Sequence, residues 1–185
     1  KTCYDIYDEQ YFERGLTTGK SGYHDYSWQR LGHEFMKTAW HIVRRFSPRT
    51  ALDVGCAKGL LVYALRLYGV RAWGIDPSDY AVSQAPAEVR RFVLQAEAQA
   101  IPWRDRKFNV VTVLDVLEHI PDLEPVIAEA FRVLRRGGHL LFCSPSDRFT
   151  DWLLGAKVLG DGYRRWFNRI SRHRHCDSPA VWRAR

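Results

Sequence analysis

The sequence predicts one α/β domain built on an open parallel sheet with helices on both faces. Three observations carry this. Five short apolar runs, at 51–54, 72–75, 91–94, 108–114 and 139–143, alternate with segments whose apolar residues recur at helical spacing. The connections between them are short, as in successive strand–helix–strand units. The fourth run is apolar apart from Asn109 and Thr112, as a parallel strand covered on both faces must be. The 185 residues suffice for one such domain and are too few for two.

Taken in order, residues 4–28 are rich in Tyr, Gly, Asp and Thr without a sustained period, which predicts an irregular but packed segment with a short helix over 9–14. Leu31, Phe35, Ala39, Ile42, Val43 and Phe46 then recur at helical spacing until Ser47-Pro48 ends the pattern, so 27–46 is a helix. The strand at 51–54 breaks at Gly55, and a helix over 60–68 stops at Gly69. The strand at 72–75 ends at Asp76 and is followed by a short helix over 78–85 and the strand at 91–94. After the strand at 108–114 comes a helix over 125–134, a turn at Arg135-Arg136-Gly137-Gly138 and the strand at 139–143. Beyond Ser144, Trp152, Leu153, Val158, Leu159, Tyr163, Trp166, Phe167 and Ile170 suggest one or two helical pieces interrupted by Gly155, Gly160 and Gly162, with no further strand. The chain thus divides into an N-terminal segment and helix (1–46), a core (47–145) and a basic helical region (146–185).

A hydrophobic content of 46% and a charged content of 26% suit an ordinary globular protein, and no apolar run approaches the roughly 18 residues of a membrane span. Cys3, Cys56, Cys143 and Cys176 lack C-x-x-C spacing, which fits a reducing cytoplasm better than a disulfide scaffold. From Arg164 onward seven Arg face one acid, Asp177, so nearly all of the +7 net charge lies at that end. We read it as a solvated helical face; attraction to nucleic-acid or lipid phosphates is the alternative. His173, His175 and Cys176 have no third and fourth ligand nearby, so no metal is assigned. Both ends read as cut: there is no initiator Met, and Ser178-Pro179 opens a helix that stops about two turns later.

In an open parallel sheet the ligand site lies beyond the carboxyl ends of the strands, where strand order reverses. Gly55-Cys56-Ala57-Lys58-Gly59 joins the first strand to its helix, and its small residues would let backbone N–H groups approach an anionic ligand group. Asp76 closes the second strand, where a carboxylate can accept both hydroxyls of a ribose. A dinucleotide fingerprint needs G-x-G-x-x-G, and the matching positions here are Gly55, Ala57 and Leu60, so the pyrophosphate fit fails.

The Asp53-x-Gly55-x-x-x-Gly59 arrangement instead resembles the first motif of class I S-adenosylmethionine-dependent methyltransferases. The resemblance continues through Gly74-Ile75-Asp76-Pro77-Ser78, Ala96-Glu97-Ala98 with Ile101-Pro102-Trp103, Phe108-Asn109-Val110-Val111, Asp115 to Asp122, and Arg132 to Gly138. Six segments in order make it specific where each alone is weak. It implies a Rossmann-like fold, S-adenosylmethionine as cofactor (S-adenosylhomocysteine as product), and a cofactor site with Asp53, Gly55, Ala57 and Gly59 of the first motif lying at the methionine part. Asp76 would hold the ribose, Pro77 lie against the adenine, Glu97 accept from the adenine amino group with the Ala98 backbone nearby, and Asp115 sit under the methionine end. Ala57 replaces the middle Gly usual in the first motif, which a helical φ would tolerate. The family closes its sheet with an antiparallel strand pair for which this chain has no segment, so a fragment with an exposed sheet edge is expected.

Methyl transfer is an in-line displacement governed by positioning. If the acceptor must lose a proton, His119 is the first candidate base, with His24, Tyr23 and Tyr26 behind it. Residues 22–28 would form an aromatic lid facing a sulfonium. The preferred acceptor is a small molecule or glycan-type compound. The alternatives are an RNA methyltransferase, supported only by the basic end, and a non-catalytic Rossmann-like binding module.

Overall fold

A computed structural model describes residues 6–144. Its elements run α1 (Glu9–Thr18), α2 (Trp28–Phe46), β1 (Thr50–Val54), α3 (Leu60–Leu67), β2 (Arg71–Asp76), α4 (Asp79–Ser83), β3 (Val93–Gln95), β4 (Phe108–Leu114), α5 (Glu124–Val133) and β5 (Leu134–Cys143). The five strands form one sheet in the order β3-β2-β1-β4-β5, with every pairing parallel. Order reverses between β1 and β4, which is where the topology opens a crevice at the strands' carboxyl ends. The open parallel Rossmann-like sheet expected from the sequence is therefore present. The helical pieces expected after Ser144, the His173/His175/Cys176 cluster and Cys3 lie outside the described residues.

Both faces are covered because the central strands are apolar on both. Ala51, Ala72 and Val110 bury against α2 and α3 through Ala39, Ile42, Leu61, Leu65 and their neighbours. Leu52, Val54, Ile75, Val111 and Val113 bury on the opposite side, where α5 contributes Val126, Ala130 and Val133. Every residue of β1 is buried. The cost falls on Asp53, a carboxylate in the middle of the sheet.

Local chemistry sets the helix ends. Asp8 caps α1 by accepting from the Tyr11 N–H at 2.9 Å, and Ser27 caps α2 by accepting from the Arg30 N–H at 3.4 Å. Helix α1 runs a turn longer than the spacing predicts, across a non-helical Arg14 (φ −135°), to a left-handed Gly19. The expected turn at 135–138 is instead the start of β5. Leu134 already pairs with Phe108, and the left-handed Gly137 (φ 72°) with a register irregularity between Phe108 and Val110 absorbs the bend. Among the described residues, no helix is long and apolar enough to cross a membrane.

Candidate active site

The crevice at the β1/β4 reversal widens into a cavity of about 820 Å³, within the size range of small-molecule sites. Its floor comes from the turns after the strands: Gly55 and Ala57 after β1, Asp76 and Pro77 after β2, Ala96, Ala98 and Gln99 after β3, and Leu114 to Val116 with His119 after β4. Its roof comes from the N-terminal segment, chiefly Tyr7, Tyr11, Phe12, Tyr23, Tyr26 and Phe35.

The turn after β1 is held by its own amides. The Gly55 and Cys56 N–H groups both donate to the Ile75 carbonyl, at 2.8 and 2.9 Å, and the Gly59 N–H donates to the Cys56 carbonyl at 2.8 Å. The Ala57 N–H donates to Asp76 Oδ2 at 2.7 Å. These four donors are spent within the protein, so they are not the amides that would meet an anionic group. Ala57 also departs from the helical φ expected of it: its φ is +48°, a left-handed conformation costing an L-residue about 1–2 kcal/mol. Gly55 has φ +73° and a Cβ there would lie 2.3 Å from Val116 Cγ2, so glycine is required on two counts. Gly59 lies outside the cavity lining; it is the left-handed N-cap of α3, where a Cβ would meet Val93 Cγ2 at 2.6 Å.

Asp76 is 7% exposed and takes one backbone bond on each oxygen, from Ala57 and, at 2.9 Å, from Ser78. Each oxygen keeps a lone pair for a ligand hydroxyl. Burial pushes its carboxyl up to about 6 against the pull of these two N–H bonds. Ser78, not Asp76, caps α4. Asp115 also lines the cavity, with burial raising its pKa. Glu118 lies behind the wall, 1% exposed, bonded by the Ser144 hydroxyl at 3.2 Å and pushed up to about 7 by burial. Three carboxyls raised by desolvation around one cavity favour a ligand that brings positive charge.

Besides Gly59, two expected site residues do not reach the cavity. Asp53 points into the face covered by α2 and α3, where the Thr112 hydroxyl donates to Oδ1 at 2.6 Å across the β1/β4 register. Glu97 is exposed and outside the lining. Gln99, unremarked in the sequence, does line it, and its Oε1 is buried with no hydrogen-bond partner among the described residues. Pro77 and Ala98 line the wall.

Of the expected lid, Tyr23 and Tyr26 line the cavity and His24 is exposed. Tyr11 and Tyr23 have phenol pKa values raised by burial, and Tyr7 packs edge-on against His119 with ring centroids 6.3 Å apart. The segment is fastened to the floor at polar points. Lys58 of the turn pairs with Glu13 of α1, the Tyr80 hydroxyl donates to the same carboxylate at 3.0 Å, and the Ser78 hydroxyl donates to the Tyr7 carbonyl at 2.5 Å. Among the described residues no group of three or more His, Cys, Asp or Glu could hold a metal ion.

Residues 52–142, which carry this floor, match the family described as a methyltransferase domain. The match runs from β1 to β5, the stretch whose motifs resemble those of class I methyltransferases. Relatives include the ubiquinone biosynthesis O-methyltransferase of Pseudomonas putida strain F1, 36% identical over 124 residues, covering 62% of this chain and 51% of that protein. The enzyme of the same name from Nitrosomonas europaea is 33% identical over 110 residues, covering 55% and 46%. The chain spans about half the length of these curated relatives. Among solved structures, the YcgJ protein of Bacillus subtilis superposes with a TM-score of 0.62 at 22% identity, covering 82% of this chain and 65% of that one. A methyltransferase of Thermotoga maritima superposes with a TM-score of 0.56 at 19% identity, covering 85% and 78%. These two likenesses speak to the fold.

The family's cofactor is S-adenosylmethionine, and the residues present fit it. Asp76 offers acceptors to a diol, Gln99 offers an unpaired acceptor to the base, and the raised carboxyls match a sulfonium and an ammonium.

Proposed function

We propose that this domain is an S-adenosylmethionine-dependent methyltransferase acting on a small-molecule acceptor with an aromatic ring. The observation that carries the reading is Asp76, a desolvated carboxylate at the end of β2, fixed by the Ala57 and Ser78 amides beside the Gly55 turn on the cavity wall. In this reading Asp76 binds the ribose hydroxyls. Gly55 and Ala57 give the methionine part close backbone approach, Pro77 and Ala98 flank the base, and Asp115 faces the positive end. Asp53 and Gly59 act at one remove, by keeping the sheet and the start of α3 in place. When bound, S-adenosylmethionine supplies an electrophilic methyl group on a cationic sulfur.

The acceptor class rests on the opposite wall. Tyr7, Tyr11, Phe12, Tyr23, Tyr26 and Phe35 exclude water and offer ring faces and edges to a flat apolar partner. The relatives' names, which specify O-methylation in ubiquinone biosynthesis, point the same way; they give the glycan-type and RNA alternatives no support. His119, at the cavity after β4, is the residue we assign to take the proton of an acceptor hydroxyl. Calorimetric titration with S-adenosylmethionine tests the reading. We expect saturable binding by the wild type and a loss of at least tenfold in Asp76→Ala, since each charge-assisted hydrogen bond to a ligand hydroxyl is worth about 1.5–3 kcal/mol. Folded wild-type protein that does not bind would end the methyltransferase reading.

A further inference from the structure

We propose that the end of the sheet opposite the cavity is a docking surface for a membrane leaflet rich in anionic phospholipid. The cavity lies at the carboxyl ends of five parallel strands, so the segments that enter those strands lie together at the other end. The entries to β1 to β4 (residues 44–49, 66–71, 88–92 and 104–107) and the start of β5 (135–136) hold twelve Arg and Lys against two acids, Glu88 and Asp105. In the rest of residues 6–144 six cations stand against fourteen acids. A stretch that is nearly neutral in sum is thus strongly polarised, with its positive pole at the strand entries.

Neighbouring entries join into one surface. The Arg71 N–H donates to the Arg49 carbonyl at 3.1 Å and the Lys107 N–H to the Val133 carbonyl at 2.8 Å. The Arg66 and Arg91 guanidiniums lie 3.4 and 4.7 Å from the centre of the same Phe92 ring. At about 4.8 Å per strand the row is roughly 20 Å wide. Among the described residues none of the twelve cations forms an ion pair, and Asp105 pairs with Arg132 at 2.8 Å. Burial lowers the Arg66 and Lys107 pKa values, and the neighbouring charges of Arg91 and Arg104 push the same way. Arg44, Arg45 and Arg66 compensate the negative ends of α2 and α3. That leaves nine like charges whose crowding costs stability until counter-charge arrives.

The counter-charge is a lipid surface rather than a nucleic acid because apolar side chains stand beside the cations. Leu67 and Tyr68 close α3 at 55% and 38% exposure, and Phe131 in the last turn of α5 is 61% exposed. A headgroup layer takes such side chains into its apolar boundary while its phosphates meet the arginines, whereas a nucleic-acid backbone offers Leu67 no apolar layer. The docked molecule turns its cavity away from the bilayer and takes its acceptor from the aqueous side.

Cosedimentation of the full chain with vesicles tests this. In about 0.1 M salt, where charges act over about 10 Å, we expect binding to vesicles of phosphatidylglycerol and phosphatidylcholine in equal parts and none to phosphatidylcholine alone. Each cation at such a surface is worth about fivefold in partitioning, so the combined variant Arg49→Gln, Arg71→Gln, Arg104→Gln and Arg136→Gln, all at exposed positions, should bind at least about a hundredfold more weakly. Leu67→Gln should weaken binding about fivefold. Arg14→Gln with Arg30→Gln, exposed positions on the cavity side, should stay within about twofold of wild type because salt screens charges that far from the surface. An unchanged urea midpoint shows that each variant is folded. Vesicle binding that is absent from the wild type, that survives in the four-arginine variant or in Leu67→Gln, or that falls as far in the Arg14 and Arg30 variant overturns the inference. Tight binding of a single-stranded RNA without vesicle binding overturns it in favour of a nucleic-acid surface.

Discussion

The substitution Asp53→Asn isolates the charge buried in the centre of the sheet. Asp53 is 5% exposed, and burial pushes its carboxyl from 3.8 to about 7, opposed by the bond from Thr112 and reinforced by the Asp76 charge. A carboxyl whose pKa is raised in the folded state binds its proton more tightly there than in the unfolded chain. Its penalty is therefore absent below pH 4, grows as the pH rises through the window from about 4 to 7, and is complete above it. Three pH units at about 1.36 kcal/mol each bound the penalty at about 4 kcal/mol. Asparagine keeps an oxygen to accept from Thr112 but introduces amide hydrogens without an evident partner, at about 1–2 kcal/mol. The net expectation is that Asp53→Asn is about 2 kcal/mol more stable than wild type at pH 8, and equal or slightly less stable at pH 5. Urea unfolding at the two pH values measures this, with S-adenosylmethionine affinity expected to stay within a few-fold of wild type. Parallel stability curves, with the same difference at both pH values, would refute the buried-charge argument.

Two further outcomes follow from the site. Gly55→Ala must accommodate a Cβ 2.3 Å from Val116 at φ +73°, and should lose about 2–4 kcal/mol in chemical denaturation together with most cofactor affinity. His119→Gln, assayed with a phenolic acceptor, should lower the rate of methyl transfer about 10²- to 10⁴-fold near neutral pH and recover it as the acceptor ionises at high pH, with unchanged S-adenosylhomocysteine affinity; a rate equal to wild type removes His119 from the chemistry.

The fold was legible wherever one principle dominated. The β4 run, apolar but for Asn109 and Thr112, has the bounds expected, and α2 keeps its helical period between Ser27 and Ser47. The start of β5 was not legible because Arg-Arg-Gly-Gly is turn chemistry locally, and only pairing with β4 overrides it. At the site, Gly55 and Asp76 could be placed because each ends a strand, and the sheet fixes where strands end. Asp53 belongs to the same motif but sits one step inside, on a strand buried along its length, so motif membership said nothing about which way it points. Glu97 and Gln99 were indistinguishable by position, and their loop is anchored at Ile101 by Arg132 and Glu129, some thirty residues away in sequence. The aromatic roof was foreseen at Tyr23 and Tyr26, whereas Tyr7, Tyr11 and Phe12 gave no periodic signal to separate them from ordinary packing.

The cavity's two walls are drawn from separate stretches of chain, one from residues 6–38 and one from 55–121. The second stretch is constrained throughout by strand ends, left-handed turns and buried carboxylates, whereas Leu31, Glu34 and Thr38 on the first are half-buried or exposed helix positions with room to vary. With the acceptor against the first stretch, as proposed, drift in residues 6–38 would retune the acceptor while leaving the cofactor wall untouched. In the laboratory, grafting that stretch between homologues is the shortest route to a new acceptor.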